Sequence, residues 1–164
     1  MIQKKICMLG SFAVGKTSLV RRFVESIYSD AYLTTVGVKI DKKVVRHNDS
    51  EISLLLWDLY GEDEFQKMRW IYLRGAHGYL LVADGTRRNT LEKAFQLEQR
   101  VRKEIGQTPF IFVIKKADLI QDWELDPAME SQLASRNWSI LRSSAKTGEN
   151  VDADFLQLTR KMLP

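Results

Sequence analysis

GSFAVGKT, Gly10 to Thr17, decides how the rest of this sequence is read. It matches G-x-x-x-x-G-K-[ST], the spacing of a loop that cradles phosphates. The backbone N–H groups of such a loop turn into a concave nest, and the helix after it adds the positive potential of its N-terminus. Ser11, Phe12, Ala13, Val14, Gly15 and Ser18 then belong to the cradle. Lys16 reaches the β- and γ-phosphates, and the Thr17 hydroxyl ligates Mg²⁺. The flanks suit this reading. Ile2 to Leu9 is a short apolar run that predicts a buried strand, and Lys16 to Glu25 has helical spacing with Leu19, Val20 and Phe23 on one face.

Outward from the loop, strands and helices alternate. Residues 26–37 are polar and irregular. Val38 to Val45 and Ile52 to Trp57 predict a hairpin turned at His47-Asn48-Asp49-Ser50. Gly61 to Leu73 is a loop entering a helix, and the nearly all-apolar Tyr79 to Ala83 is a strand. Thr90 is placed to cap a helix over Leu91 to Ile105, which Gly106 ends. Phe110 to Ile114 is a buried-type strand, Asp126-Pro127 opens a helix to about Arg136, Ser139 to Arg142 is a short strand, and Val151 to Met162 is the last helix. The expected fold is α/β: a six-stranded, mostly parallel sheet with one antiparallel edge strand, flanked by about five helices.

The 164 residues suit one domain, 1–164, with no repeat or linker. An apolar share of 45% and a charged share of 28% are ordinary for a globular protein, and no apolar run approaches the roughly 18 residues that span a bilayer. MIQKKICMLG lacks the apolar core and cleavage site of a signal peptide, so a cytoplasmic location is expected. Cys7, the single cysteine, rules out an internal disulfide and is expected as a buried thiol. The net charge of +4 comes from scattered basic pairs rather than a basic tail, so no nucleic-acid partner is expected. The last residues carry no prenylatable cysteine, so membrane attachment is expected only through a lipidated tail beyond Pro164.

Three further stretches complete a site. Asp58 follows the apolar run Leu54 to Trp57, at a strand's carboxyl end where ligands bind in such sheets. With Gly61 it spells D-x-x-G, an acid that holds magnesium through water and a glycine whose N–H approaches a γ-phosphate. Lys115-Lys116-Ala117-Asp118 and Ser143-Ser144-Ala145-Lys146 each follow a predicted strand. A carboxylate at Asp118 accepts from the N1–H and N2 amine of guanine, a donor pair that adenine lacks. The stems of Lys116 and Lys146 can cover the two faces of a base.

GSFAVGKTSL, TTVGVKI, LLLWDLYGEDEF, YLRGAHGYLLVADGT, KKAD and SSAKTGENV together resemble the Ras-like small GTPases, most closely the Rab-like branch, from Lys4 to Leu163. The resemblance implies GTP and GDP as ligands, Mg²⁺ as cofactor, and two switch segments that rearrange on hydrolysis. It implies that Thr35 ligates Mg²⁺ beside Thr17 and Asp58 and senses the γ-phosphate, that Tyr28 edges the guanine and that Tyr32 covers the phosphates. Leu119, Ser144 and Ala145 fall in the base-binding motifs. Lys16, Thr35, Gly61 and Glu62 are the implied catalytic set. The resemblance also implies an effector protein bound through Val36 to Ile40, Trp57 and Tyr72, with GTPase-activating and exchange factors as regulators.

Three departures from the family pattern bear on chemistry. Phe12 and Ala13 stand where small residues are common, and Phe12 falls beside the γ-phosphate, in the path of an incoming arginine finger. Glu62 replaces a glutamine that orients the attacking water; an ionised carboxylate only accepts hydrogen bonds. Lys115 replaces an asparagine, offering guanine N7 a mobile point charge. Guanine binding with slow hydrolysis is the expectation; the alternative is a GTP-binding interaction module that scarcely hydrolyses.

Overall fold

The computed structural model describes residues 2–11, 14–24, 32–33, 38–59 and 70–164, with 32, 33 and 38 as backbone alone. Its strands are β1 (Ile2–Gly10), β2 (Tyr32–Leu33), β3 (Val38–His47), β4 (Ser50–Leu59), β5 (Gly78–Asp84), β6 (Phe110–Lys115) and β7 (Ile140–Ser143). The α-helices described from end to end are α1 (Lys16–Val24), α2 (Arg88–Ile105), α3 (Pro127–Arg136) and α4 (Val151–Met162), with a 3₁₀ helix over Ala117–Asp122; residues 70–72 are helical as well.

The sheet runs β2-β3-β4-β1-β5-β6-β7. Strands β4, β1, β5, β6 and β7 are parallel neighbours, and β3 lies antiparallel to β4. The expected six strands are therefore present. The two-residue β2, within a stretch expected to be irregular, pairs with β3 through Tyr32↔Ile40 and Leu33↔Lys39 and becomes the edge. Two residues are too few for a period-2 pattern to register. The hairpin turns on Asn48 and Asp49, with φ of 49° and 64°, the two left-handed positions a tight two-residue turn demands.

Alternation along the central strands divides the core between the two sheet faces. Ile6, Met8, Leu80 and Val82 pack with Leu19, Phe23, Phe155 and Leu158, covered by α1 and α4. Cys7, Leu9, Leu81 and Ala83 pack with Leu91, Leu97, Val101 and Leu133, covered by α2 and α3. Phe23 of α1 stacks on Phe155 of α4 with ring centroids 4.0 Å apart, which locks the helix after the phosphate loop against the last helix. Cys7 is buried and free, as expected.

Helix starts show where local signals mislead. Asp126 caps α3 as expected, its Oδ1 accepting from the Met129 N–H at 2.8 Å. Thr90 does not cap α2. That helix starts two residues before it, and Thr90 turns inward, its hydroxyl accepting from the Asp84 N–H at 2.9 Å and thereby tying the helix to the end of β5. Its capping task passes to a distant side chain, for Glu124 Oε1 accepts from the Arg88 N–H at 2.7 Å. Gly106 ends α2 at φ 79°, its N–H returning to the Arg102 carbonyl.

Candidate functional site

The site lies where β1, β4, β6 and β7 deliver their carboxyl ends. After β1 the chain passes through Ser11 and Val14, both buried, to Gly15 at φ 99°, and enters α1 at Lys16. Lys16 is only 7% exposed, and its Nζ donates to the Gly10 carbonyl at 2.9 Å, holding an ammonium at the centre of the loop. No acidic residue lies in the first turn of α1, so nothing there offsets the positive end of the helix. Gly10 is required by packing, since a Cβ there would meet the Val82 carbonyl oxygen at 2.3 Å.

Thr17, in the first turn of α1, reaches across to β4. Its hydroxyl donates to Asp58 Oδ2 at 2.5 Å, while the buried Asp58 Oδ1 has no hydrogen-bond partner among the described residues. Burial raises the Asp58 carboxyl above the usual carboxylate range, opposed by the Thr17 hydroxyl and the Lys16 ammonium. A buried carboxylate with a spare oxygen beside a hydroxyl is a hard-oxygen donor set, and these residues fit Mg²⁺.

The loops after β6 and β7 meet the phosphate loop around a cleft of about 400 Å³. Val14, Gly15 and Ser18 line one side; Lys115, Lys116, Asp118 and Leu119 come from the second loop, and Ser144, Ala145 and Lys146 from the third. Ser144 Oγ donates to Asp118 Oδ1 at 2.8 Å, fixing the carboxylate that the sequence points at a base. Lys116 takes a left-handed backbone (φ 68°), and its Nζ lies 2.9 Å from Asp84 Oδ2. The Lys116 carbonyl accepts from Trp123 Nε1 at 2.8 Å, which pins the 3₁₀ helix of this loop.

Lys115 departs from the mobile point charge expected of it. The residue is 3% exposed and its Nζ is enclosed with no hydrogen-bond partner among the described residues. Burial pushes its pKa down to about 8, against the pull of Asp154, Asp118 and Asp84. It is a fixed part of the cleft floor.

Two buried carboxylates support these loops and carry no site role in the sequence reading. Asp84 Oδ1 accepts from both the Thr86 N–H and the Thr86 hydroxyl, at 2.9 and 2.7 Å. Asp154, fully buried on α4, lies 2.7 Å from Ser143 Oγ at the end of β7. A signal existed for Asp154, because it interrupts the apolar stripe Val151, Phe155, Leu158 at helical spacing. Burial pushes its pKa up to about 7, the Ser143 hydroxyl and Lys115 opposing.

A carboxyl that titrates near 7 when folded and about 4 when unfolded holds more protons in the folded state between those values. Its contribution to stability is therefore present at low pH and lost as pH rises through 7, by about 2–4 kcal/mol. Asp154→Asn is expected to flatten that fall. Denaturant unfolding of both proteins at pH 5 and pH 7.5 checks it; equal slopes in the two proteins contradict it.

Ile40, Trp57 and Tyr72, the expected effector trio, do come together. Ile40 stands opposite Trp57 in the β3–β4 register, and the Trp57 and Tyr72 rings lie 5.9 Å apart, all three partly buried. Lys5 Nζ sits 3.8 Å over the Trp57 ring and donates to the Tyr72 carbonyl, tying the two together. Phe12, Ala13, Tyr28, Thr35, Val36, Gly61 and Glu62, and the side chain of Tyr32, lie outside the described residues.

A family model for the Ras family matches residues 5–164. The chain belongs to the Ras family. Similar proteins span nearly all of it. A GTP-binding protein Rheb homolog of Dictyostelium discoideum is 32% identical over 163 residues, 97% of this chain and 87% of the relative. The Ras-related protein SEC4 of Candida albicans is 30% identical over 156 residues, 94% of this chain and 74% of the relative. The human Ras-related protein Rab-4A is 33% identical over 161 residues, 97% of this chain and 74% of the relative. Rab-type relatives thus stand beside a Rheb-type one at comparable identity, and the α/β sheet is that of a Ras-like P-loop protein. Among the described residues, no helix is long and apolar enough to cross a membrane.

Proposed function

We propose that this Ras-family chain is a guanine-nucleotide switch that binds GTP and GDP with Mg²⁺ and hydrolyses GTP slowly to control a partner protein. One observation carries the reading: the phosphate loop, the Lys115–Leu119 segment and the Ser144–Lys146 segment line a single cleft in which Ser144 orients the Asp118 carboxylate. That carboxylate accepts the guanine N1–H and N2 amine; the stems of Lys116 and Lys146 flank the base, while Lys16 and the α1 N-terminus take the phosphates. Thr17 and Asp58, with Thr35 by family position, would hold the metal ion. Bound there, Mg²⁺ supplies positive charge against the β- and γ-phosphate oxygens.

Asp118→Asn puts an amide donor opposite the guanine donors and is expected to reduce the preference for GTP over ATP at least tenfold. Competition binding with both nucleotides measures it, and an unchanged ratio removes Asp118 from base recognition.

Glu62 takes, by family position in the sequence, the place of the water-orienting glutamine and, ionised, accepts without donating. With Phe12 at a position that the family pattern puts beside the γ-phosphate, this favours a second reading, a GTP-binding interaction module that scarcely turns over. Single-turnover hydrolysis with Mg²⁺ separates the two: a slow first-order conversion to GDP supports the switch, and persistent GTP supports the module. In either form the Ile40, Trp57 and Tyr72 surface meets an effector, and GTPase-activating and exchange factors act on the segments beside it. The protein works in the cytoplasm, reaching a membrane only through a lipidated tail.

A further inference from the structure

A second cleft, of about 510 Å³, opens at the amino ends of β5, β6 and β7, at the opposite end of the sheet from the nucleotide cleft. Tyr79 and Phe110, stacked with ring centroids 4.9 Å apart, line it together with Trp138. Arg102 of α2, Arg136 of α3 and Lys161 of α4 surround it against one carboxylate, Glu98. That carboxylate is already engaged by Arg102 at 2.9 Å. Cations in the last turn of a helix commonly serve its closing carbonyls. Here backbone groups do that work: the N–H groups of Gly106, Asn137 and Leu163 donate to Arg102, Ala134 and Arg160. The Arg136 guanidinium lies instead over the rings of Phe95, at 4.9 Å, and Trp138, at 5.6 Å. Among the described residues no carboxylate pairs with Arg136 or Lys161. A guanidinium held by its faces keeps its edge N–H donors in plane for a second group. Its platform is firm, because Trp138 packs edge-on against both Phe110 and Phe112. Burial and the Glu98 carboxylate push the Tyr79 phenol up, so it stays protonated as a further donor.

We propose that this cleft binds a phosphorylated polyol, with its phosphate on Arg136 and Lys161 and its ring against Phe110 and Trp138. A planar guanidinium meets two phosphate oxygens at once, and the ammonium adds charge from another helix. Gln107, Thr108, Asn137 and Ser139 also line the cleft, and their amides and hydroxyls suit the hydroxyls of a polyol. The ring of such a molecule turns C–H groups toward the aromatic side chains. The volume lies within the range of small-ligand sites, about 300–1,000 Å³. Free sugar and inositol phosphates share this chemistry with the headgroups of phosphoinositide lipids.

The test is an amide NMR titration of the isotope-labelled chain with inositol trisphosphate, with GDP and Mg²⁺ in excess. Saturable shifts are expected in residues 106–110 and 137–139. Arg136→Gln should weaken binding about tenfold or more, the loss of a charge-assisted pair. Lys161→Gln changes an exposed side chain at no risk to the fold and should weaken binding about threefold. Inorganic phosphate, which lacks the polyol, should bind about tenfold more weakly than inositol trisphosphate; equal affinity overturns the polyol assignment. Phosphatidylcholine vesicles with and without a phosphoinositide distinguish the sources. Sedimentation of the chain with the phosphoinositide vesicles alone assigns the ligand to a lipid headgroup, and binding of the soluble probe without it assigns the ligand to a free phosphate. Binding of neither overturns the site. So does binding indifferent to both substitutions, or shifts confined to residues 10–18 and 115–118, which would place the probe in the nucleotide cleft.

Discussion

Lys16→Ala is expected to lower GTP affinity by about 10²- to 10³-fold, from the loss of two charge-assisted hydrogen bonds to phosphate oxygens. The structure gives this expectation its physical basis. Lys16 is buried at the centre of its loop, where its Nζ satisfies the Gly10 carbonyl. A cation held there is desolvated before any ligand arrives, so a phosphate meets it without first stripping its water. Alanine is a strong helix former at the first residue of α1, so the fold should survive the change. Displacement of a fluorescent guanine nucleotide measures the effect, with a far-ultraviolet dichroism spectrum to show that the variant is folded. A folded variant that binds as tightly as the native chain would remove the loop from phosphate recognition.

The second large effect falls on stability. Gly10→Ala is expected to cost about 3 kcal/mol or more. The added methyl would sit 2.3 Å from the Val82 carbonyl oxygen and 2.9 Å from Val14 Cγ2. That oxygen belongs to β5, a strand buried along its whole length between β1 and β6, and cannot retreat without breaking the sheet. Gly75→Ala is the control. Nothing lies within 4 Å of its added methyl, and only the positive φ of 77° opposes it, for about 1 kcal/mol. Chemical denaturation of the two variants should separate them clearly; equal losses would mean that backbone strain, and not the β1–β5 contact, governs both positions.

Much of this fold was legible because its centre is built from short all-apolar runs. Leu80-Leu81-Val82-Ala83 and Ile111-Phe112-Val113-Ile114 can hardly be anything but buried strands, and they are fully buried between two layers of helix. Interruptions at glycine and proline marked helix ends equally well, as at Gly106 and Asp126-Pro127. Contacts between distant segments were not legible. Thr90 carries a local capping signal, but the carboxyl end of β5 claims its hydroxyl and Glu124 supplies the cap from another loop. The pairing in β2 is made by backbone groups and leaves no trace in residue type.

The candidate site divides in the same way. Motif spacing named the loops that line the cleft, because a phosphate nest and a base pocket need particular residues at fixed offsets. It did not foresee that Lys115 would be enclosed rather than mobile, since burial there depends on Gly15 closing over it from another element. Nor did it single out Asp154 and Asp84, whose work is to hold the loops through Ser143, Thr86 and Lys116.

The measurement that tests the central claim most directly is the identity of the nucleotide carried by the freshly purified protein, released by denaturation and separated by chromatography. A guanine nucleotide, with GDP reporting turnover and GTP its absence, is the predicted result. An adenine nucleotide, or an empty site that takes up no GTP when offered it with Mg²⁺, would contradict the account.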